Sequence, residues 1–492
     1  MFLKSLLVFV GSAVVAAAAG AAAPVRDLDS RLGIYEGTGG TSCSHLIMDV
    51  LPWRNALGDW RDALGVEQGA KPFASVRPEV LGAAWDVTKL VSQWSERKAT
   101  LGAFLLRQVD GQGYAAFKSR EARDVADRPM LVLEFADGGR KILEPSADTQ
   151  LDCSSYRALG KGETLTVSRQ TNVALQFALP DELSGRRLAR ARLVLSSARS
   201  VASAAAVGVF ELSFPRFPSG PVQNGIAAGY PGDKGVERDP SVIFATGFDE
   251  SLSWRSRWAV GSSGGEEVGR DDPDLRFQAL DGAALRVGFK KGRNDGADLR
   301  YALKEAGGEP EELFFRYYVR LADDWNPTLD GGKMPGLAGT YSVAGWGGRR
   351  SDGTNGWSLR GNFHRAFPKD HPFFGLTQLG TYAYHADMAS PYGDNWYWPG
   401  ALLERNRWYC VEQQVRMNRP DAADGVLRVW LDGRQIFEKT DLRLRKVDRL
   451  RIETAWLNVY HGGIDPSPHD QHMFFDDIVV ARRYIGPRRP AP

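Results

Sequence analysis

Three short pieces between residues 332 and 387 decide the fold: GKMPGLAG (332–339), GWSLRGNFH (356–364) and GTYAYHAD (380–387). The second and third alternate as β-strands do, because successive side chains on a strand point to opposite faces. One face of the two strands therefore carries Ser358, Arg360, Asn362, His364, Tyr382 and Tyr384. The pattern predicts a concave sheet lined by a Lys, a Ser, an Arg and two Tyr.

This set of side chains suits one reaction. It lacks the paired carboxylates of a glycosidase. β-Elimination on a uronic acid needs a cation for the sugar carboxylate, and a base and an acid of high intrinsic pKa. Arg360 is always charged and binds carboxylates with its planar fork. The sequence leaves open which of Lys333, Tyr382 and Tyr384 takes the C5 proton and which protonates the leaving oxygen.

Length and composition bound the remaining possibilities. A chain of 492 residues is too long for one core and suits two or three domains. Its net charge of +2 gives no strong basic field, which argues against a nucleic-acid partner. The 54 Gly, 14 Trp and 15 Tyr favour short strands joined by tight turns.

The first residues read as a targeting segment. Lys4 is followed by an apolar run over 6–20 and by small residues at 21–23. This order is typical of a secretory signal peptide, and the run is too short to span a membrane comfortably. We therefore expect residues 1–23 to be a signal peptide and the protein to be secreted or periplasmic, with no membrane contact after cleavage. An uncleaved anchor is the alternative.

The chain contains three cysteines. Cys43 and Cys153 can pair within the N-terminal half, but the sequence alone does not establish that they do. Cys410 lies in the strand-like segment WYCVEQQV, which predicts a buried thiol.

Three blocks follow the leader. Residues 25–213 contain many short alternating segments and one amphipathic helix, expected at 86–95 with Asp86 as its N-cap. Residues 214–241 are rich in Pro and Gly and read as a linker. Residues 242–487 are again strand-rich, with a clear hairpin at Asp432-Gly433. The sequence predicts an all-β protein of two β-sandwich domains.

The third block resembles the alginate lyases of polysaccharide lyase family 14 and, more distantly, glucuronan lyases. The resemblance covers most of 242–487. It rests on GGKMPGL, GWSLR and the YAY pair, then on RWYCVEQQVRMN, DGVLRVWLDG, NVYHGG and FFDDIVV, in that order along the chain. It implies a jelly-roll (concanavalin-like) sandwich and a β-elimination activity.

Carried over residue by residue, the resemblance implies a catalytic Lys at Lys333, a Ser-x-Arg at Ser358 and Arg360, and a Tyr-x-Tyr at Tyr382 and Tyr384. The main departure is an extra segment after the second strand, HRAFPKDHPFFG at 364–375. This insertion can reshape the cleft, so the resemblance implies the chemistry more firmly than the substrate.

The first block resembles DNRLRE-type domains, which are related to carbohydrate-binding module family 96. DWRDALGVEQGAKPFAS, WDVTKLV, FKSRE and RPMLVLEF match the later part of such a domain, whereas residues 141–213 match its earlier part. One interpretation is a single sandwich with permuted halves, 25–138 and 141–213. Residues 173, 175 and 177 then meet residues 131, 133 and 135 in one interior. Two degenerate repeats are the alternative, and polymer binding is the implied role.

Further polar side chains are candidate substrate contacts. Ser358, Asn362 and His364 share the Arg360 face, His385 follows Tyr384, and Gln414 and Arg416 alternate on another candidate cleft strand. We expect no catalytic metal and no cofactor, because the His spacing near the C-terminus is not that of a closed zinc site. The FFDD segment leaves room for a structural Ca²⁺.

The sequence thus predicts a secreted, monomeric polysaccharide lyase that cleaves a polyuronate, alginate first and glucuronan next. Its only expected partner is the acidic polysaccharide. A lectin-like protein that binds without cleaving is the main alternative, because jelly rolls often only bind. A glycoside hydrolase ranks last, since no E-x-D-x-x-E pattern occurs.

Overall fold

The computed structural model describes residues 27–155, 157–199, 204–249, 251–264, 266–268, 271–328 and 330–490. These ranges fold mainly into antiparallel β-strands, so the predicted all-β class is confirmed. The expected signal peptide, residues 1–23, lies outside the described residues. Within them, we find no helix with the length and apolar character needed to cross a membrane.

The N-terminal domain is built from two main sheets. One has six strands in the order β10-β12-β6-β14-β3, with β4 also paired to β14, and the other has the order β5-β13-β8-β9. Strands β1 and β2 pair with each other, as do β7 and β11. The strands are β1 His45–Ile47, β2 Leu51–Pro52, β3 Trp60–Arg61, β4 Ala74–Val76, β5 Gly82–Asp86, β6 Leu101–Asp110, β7 Ala115–Lys118, β8 Met130–Phe135, β9 Arg140–Leu143, β10 Ala147–Asp152, β11 Thr164–Val167, β12 Thr171–Ala178, β13 Leu188–Ser196 and β14 Ala206–Leu212.

Strands from the two halves of this domain pair with each other. β6 lies between β12 and β14, and β13 lies between β5 and β8. One core contains both of the apolar sets expected to meet: Val173, Leu175 and Phe177, and Leu131, Leu133 and Phe135. Because each half contributes strands to both main sheets, residues 45–212 form one sandwich.

The disulfide between Cys43 and Cys153 is present, with the two Cα atoms 5.1 Å apart. It joins the loop before β1 to the end of β10, across 110 residues of chain. Cys410 is a buried free thiol, as predicted.

The amphipathic helix begins later than predicted. Helix α1 spans Thr88–Glu96 and buries Leu90, Val91 and Trp94. Asp86 is the last residue of β5, and its carboxylate accepts hydrogen bonds from the backbone and the hydroxyl of Thr88. The prediction of Asp86 as N-cap was therefore wrong, because this residue still belongs to the strand. A second short helix, α2, spans Glu182–Gly185.

The C-terminal domain is a sandwich of two larger sheets. An eight-stranded sheet has the order β17-β20-β31-β22-β27-β28-β29, with β15 paired to β31, and a seven-stranded sheet has the order β16-β21-β30-β23-β24-β25-β26. The strands are β15 Val242–Thr246, β16 Ala259–Gly264, β17 Glu266–Val268, β18 Asp271–Asp272, β19 Phe277–Gln278, β20 Ala284–Phe289, β21 Asp295–Ala302, β22 Glu312–Leu321, β23 Gly332–Gly339, β24 Trp357–Phe363, β25 Thr377–Tyr384, β26 Asp394–Leu403, β27 Trp408–Arg416, β28 Gly425–Leu431, β29 Arg434–Leu442, β30 Thr454–His461 and β31 Gln471–Ala481.

The core between these two sheets is aromatic and aliphatic. Both sheets contribute fully buried side chains, for example Phe315 and Val411 from the eight-stranded sheet and Leu337 and Leu359 from the seven-stranded sheet. The face of the seven-stranded sheet that points away from this core is called the outer face below.

The stretch between the domains is packed against the protein. Ile226, Ala227 and Val236 join a small buried cluster with Trp430 and Ile485 of the C-terminal domain. Short 3₁₀ helices occur here and elsewhere, at Asp29–Arg31, Val125–Asp127, Ile226–Gly229, Pro231–Asp233, Val236–Arg238, Ser251–Arg257 and Leu303–Ala306. The stretch predicted to be a linker, residues 214–241, is therefore an ordered connection where it contacts the C-terminal domain.

The insertion between β24 and β25 packs against the N-terminal domain. Phe373 and Leu376 of this segment, with Leu402 of β26, join one apolar cluster with N-terminal residues that include Leu46 and Trp53. We call this cluster the seam. The seam is a separate apolar core to which both sandwiches contribute residues, and it holds the two sandwiches together.

Phe373→Ala is expected to lower the free energy of unfolding by about 3–5 kcal/mol, the usual cost of emptying a Phe site in a core. Phe373 is fully buried and packs edge-on against Phe217 at 5.8 Å. Chemical denaturation followed by fluorescence measures the change. Phe374→Ala is the matched control, because Phe374 is 53% exposed and its loss is expected to cost no more than about 0.5 kcal/mol. Equal effects of the two changes contradict the prediction.

Candidate active site

The outer face of β23, β24 and β25 gathers the predicted catalytic side chains. Directly opposed residues of antiparallel strands point to the same face of the sheet. The observed pairs are Lys333 with Asn362, Arg360 with Tyr382, and Ser358 with Tyr384. The predicted face is therefore correct for Lys333, Ser358, Arg360, Asn362, Tyr382 and Tyr384.

A β-bulge brings Lys333 onto this face. Lys333 lies opposite Asn362 and Gly336 lies opposite Arg360, with a register shift between them around Pro335. Met334 and Leu337 both point into the core. The bulge inserts one residue into the alternation, so residues 333 and 336 share the outer face despite their odd spacing.

Arg360 is a buried cation with a free donor. Its side chain lies 4.8 Å from the ring of Trp456 and 5.7 Å from the ring of Tyr382, and Nη1 donates to Asn458 Oδ1 at 2.8 Å. Its buried Nε has no hydrogen-bond partner among the residues that the structure describes. Burial lowers the pKa of Arg360 to about 10, so the guanidinium stays charged at neutral pH. An unpaired buried donor of this kind is costly in free energy.

Lys333 is poised to lose its proton near neutral pH. Burial, followed by the Arg360 charge, lowers the pKa of Lys333 to about 8, while Asp330 acts in the opposite direction. The Lys333 ammonium donates to the carbonyl of Gly462 at 2.9 Å and lies 4.6 Å from the ring of Tyr382. Lys333 is therefore half neutral at a pH of about 8, and a smaller neutral fraction is present at pH 7.

The two tyrosines differ in their surroundings. Tyr382 is half-buried and its hydroxyl accepts a hydrogen bond from the backbone of Gly393 at 3.1 Å. Burial, followed by the Tyr384 hydroxyl beside it, raises the pKa of Tyr382. Tyr384 is fully buried, and its hydroxyl accepts from the backbone of Gly348 at 3.2 Å. Tyr382 is therefore a protonated acid that faces the site, and Tyr384 lies behind it.

Of the residues predicted to contact substrate on and just after β24, Ser358 is closed off from a ligand, whereas Asn362 and His364 lie beside the site. Ser358 is fully buried and donates to the carbonyl of Gly345 at 2.6 Å, so it fixes the loop that covers Tyr384 and offers nothing to a ligand. Asn362 donates to Asn395 Oδ1 at 2.8 Å and lies 3.4 Å from a ring nitrogen of His364. Asn362 and His364 thus extend the site along the strand.

His364 is neutral at working pH. Burial lowers the pKa of His364 to about 4, with Arg365 and Lys333 adding to the effect. Its ring lies 4.3 Å from that of Tyr397 on β26. A neutral imidazole can donate or accept a hydrogen bond with a sugar hydroxyl.

His385 does not join the site. It immediately follows Tyr384, and a shift of one residue along a strand turns the side chain to the opposite face. There its ring nitrogen pairs with Asp394 at 2.8 Å, and its ring packs 5.2 Å from that of Trp396. The prediction that His385 contacts substrate is therefore corrected.

Gln414 and Arg416 are corrected for a different reason. They lie on β27, in the eight-stranded sheet, and they alternate with Gln413 and Val415, which face the core. Gln414 instead hydrogen-bonds Glu312 and Arg428 on neighbouring strands of its own sheet. Both predicted residues therefore lie on the far side of the sandwich from Arg360.

Strands β26 and β30 add residues that the sequence reading missed. On β30, Trp456 lies opposite Gly336 and Tyr460 lies opposite Lys333. Both side chains therefore point to the outer face, and so does Asn458, which lies between Trp456 and Tyr460 in the sequence. Asn395 lies opposite Tyr382 in the same way. The alternation of TAWLNVYH at 454–461 contained this signal, but nothing in the sequence alone placed that strand beside β23.

Metal-binding potential is low in the part of the chain that the structure describes. There, no group of three or more His, Cys, Asp or Glu side chains is arranged to hold a metal ion. His461 is fully buried, and one of its ring nitrogens accepts a hydrogen bond from the backbone of Thr328 at 3.3 Å.

Comparison with known proteins finds a family match within the C-terminal domain. Residues 281–478 match the family polysaccharide lyase 14. No curated protein matches the chain. Similar solved structures include a double mutant of the alginate lyase Aly36B in complex with alginate trisaccharide (21% identity, 49% of this chain and 98% of that chain, TM-score 0.38). Others are the alginate lyase vAL-1 from Chlorella virus (18%, 49% and 99%, 0.38) and an endo-β-1,4-glucuronan lyase from the fungus Trichoderma reesei (14%, 49% and 95%, 0.33).

The family match supports a polysaccharide lyase, the class of enzyme that the sequence motifs predicted. The match covers less than half of the chain and lies within the block 242–487, whose motifs predicted the resemblance. The resemblance of the N-terminal sandwich to DNRLRE-type domains, and its polymer-binding role, stay predictions.

Proposed function

We propose that this lyase is secreted and cleaves a polyuronate by β-elimination, with alginate as its substrate and glucuronan as the second candidate. The arrangement that carries the proposal is a charged, buried Arg360 with an unpaired donor, flanked by Lys333 with a lowered pKa and by a protonated Tyr382. Each of the three groups supplies one of the needs of elimination next to a carboxylate.

Arg360 binds the carboxylate of the sugar whose C5 proton is removed. Charge flows onto that carboxylate as the C5–H bond breaks, and a fixed cation stabilises it there. Because the guanidinium is already desolvated and held by Asn458, little reorganisation is needed at the moment of reaction.

Lys333 is the base. Its pKa of about 8 leaves a neutral amine available near neutral pH, and it lies on the same face as Arg360. A base whose pKa is close to the working pH combines availability with proton affinity. The C5 proton passes to Nζ, and the electron pair forms the C4–C5 double bond.

Tyr382 is the acid. Its raised pKa keeps the phenol protonated, so it can give its proton to the glycosidic oxygen as the C4–O bond breaks. Tyr384 is held by Gly348 and lies beside the Tyr382 hydroxyl, which fixes the direction of that phenol. The products are one reducing end and one unsaturated uronate at the new non-reducing end.

Two features support export. The leader at 1–23 has the order of a signal peptide, and the Cys43–Cys153 disulfide belongs to an oxidising compartment. Detection of the mature protein beginning after residue 23, in the periplasm or medium, tests this part of the proposal.

A panel of polyuronates tests the reaction. We expect purified enzyme to produce material that absorbs in the far ultraviolet from alginate, and less or none from glucuronan and polygalacturonate, because the new double bond is conjugated with the carboxylate. The Lys333→Ala variant is the control for contaminating activity. New reducing ends without absorbance indicate a hydrolase, and binding without either product indicates a lectin. Both results contradict the proposal.

A further inference from the structure

The N-terminal domain reaches the proposed active site through one side chain. Asp49 lines one small cavity together with His364 and Arg365, and its carboxylate faces the hydroxyl of Tyr397 on β26. The Tyr397 ring packs 4.3 Å from that of His364, and His364 lies 3.4 Å from Asn362. Asn362 is the strand partner of Lys333. Three contacts therefore connect the N-terminal sandwich to the strand partner of the catalytic lysine.

Asp49 is held firmly in place. It lies in the turn between β1 and β2 with φ of 65°, a left-handed conformation that Asp tolerates better than most residues. The preceding residue, Met48, donates its backbone N–H to the carbonyl of Gly39 at 3.0 Å. Burial raises the pKa of Asp49, and His45, Tyr397 and Arg365 counter that effect. The carboxylate is thus directed at the lyase domain by its own turn.

The two domains are fixed relative to each other where this contact forms. The seam buries Phe373 and Leu376 of the insertion among apolar residues of the N-terminal domain. Arg31 donates to the carbonyl of Pro372 at 3.3 Å, and the ring of Tyr35 lies 4.8 Å from that of His371. Because this packing fixes the two domains relative to each other, the Asp49 carboxylate keeps its position beside the Tyr397 hydroxyl.

We propose that Asp49 is a positioning residue of the lyase reaction. By holding Tyr397, it fixes His364 against Asn362 and so shapes the place where a uronate unit of the substrate lies beside Lys333. The N-terminal sandwich then completes the active site, in addition to any polymer binding of its own. This inference rests on the proposed function.

The variants Asp49→Ala and Tyr397→Phe test it in the full-length protein. Each is expected to raise KM for an alginate oligosaccharide about tenfold, the cost of losing roughly one polar contact to a buried partner, with kcat within about twofold of wild type. A contact that only orders the bound sugar affects the ground and transition states alike. A variant that is partly unfolded instead loses kcat at constant KM, and that result overturns the proposal.

A double-mutant cycle separates positioning from general damage. If Asp49 acts through Tyr397, the double variant is no worse than either single variant, whereas independent effects multiply and overturn the inference. Asp49→Asn keeps an acceptor for Tyr397 and is expected to restore most of the affinity. Arg31→Ala is the matched control, because it removes a different polar contact across the same seam, and a comparable rise in KM for that variant also overturns the inference.

Calorimetric binding of an alginate trisaccharide keeps this inference separate from the proposed reaction. If wild-type protein binds but yields no unsaturated product, the reaction fails while weaker binding by Asp49→Ala still supports the positioning role. Equal binding by wild type and Asp49→Ala overturns the positioning role whatever the products are. Wild-type protein that neither binds nor cleaves overturns both.

Discussion

Lys333→Ala is expected to lower kcat on alginate by about 10²- to 10⁴-fold, the usual contribution of a positioned base, with the fold intact. Lys333→Arg is expected to be as inactive, because arginine keeps the charge but cannot take a proton near neutral pH. Ultraviolet progress curves measure the rate, and circular dichroism checks the fold. Lys304→Ala, at an exposed site of the same domain, is the control and is expected to behave as wild type.

The pH dependence separates the two roles open to Lys333. As a base, the residue works in its neutral form, so kcat/KM is expected to rise with pH and level off above about 8. As a cation that only neutralises the substrate, it works in its charged form, so kcat/KM falls as pH rises through the same value. A falling profile together with an active Lys333→Arg variant excludes the base assignment.

Arg360→Ala is expected to lower kcat by about 10²- to 10³-fold, the effect of removing one preorganised donor from a developing negative charge. Arg360→Lys is not expected to restore the rate, because an ammonium cannot reproduce the planar fork that is held by Asn458. Kinetics on alginate measure the effect, with thermal unfolding to check that Trp456 and Asn458 still pack.

Arg416→Ala is the matched control for this prediction. Arg416 is an exposed arginine of the same domain, on the sheet away from the site, so its loss is expected to leave kcat and KM unchanged. Equal losses at Arg360 and Arg416 would falsify the assignment of Arg360 to the substrate carboxylate.

The sequence predicted the part of the site that follows a regular alternation. Ser358, Arg360 and Asn362 share a face with Tyr382 and Tyr384 because β24 and β25 pair without a register shift. The prediction failed for His385, because one further residue reverses the face.

The remaining parts of the site depend on long-range arrangement. Alternation within β27 was correct for Gln414 and Arg416, but it cannot tell which of two sheets a strand joins or which side of that sheet faces a ligand. Lys333 was found from its motif, since the bulge at Pro335 breaks the period of two that places the other residues. Asp49 and Lys333 belong to different domains, and the packing at the seam brings the two regions together.

Two glycines lie beside Arg360 and Asn362 in the neighbouring strands of the proposed site. Gly336 is the strand partner of Arg360, and Gly380 is the strand partner of Asn362, so glycines flank β24 on both sides. A methyl group at Gly380 would lie 2.7 Å from Asn362 Oδ1, and one at Gly336 would meet the backbone of Leu359 and Arg360. Mutation has little freedom to change the depth of such a surface. A change in which uronate the enzyme accepts is therefore to be sought in the surrounding rim: the loop over Tyr384, the insertion after β24 and the turn that carries Asp49.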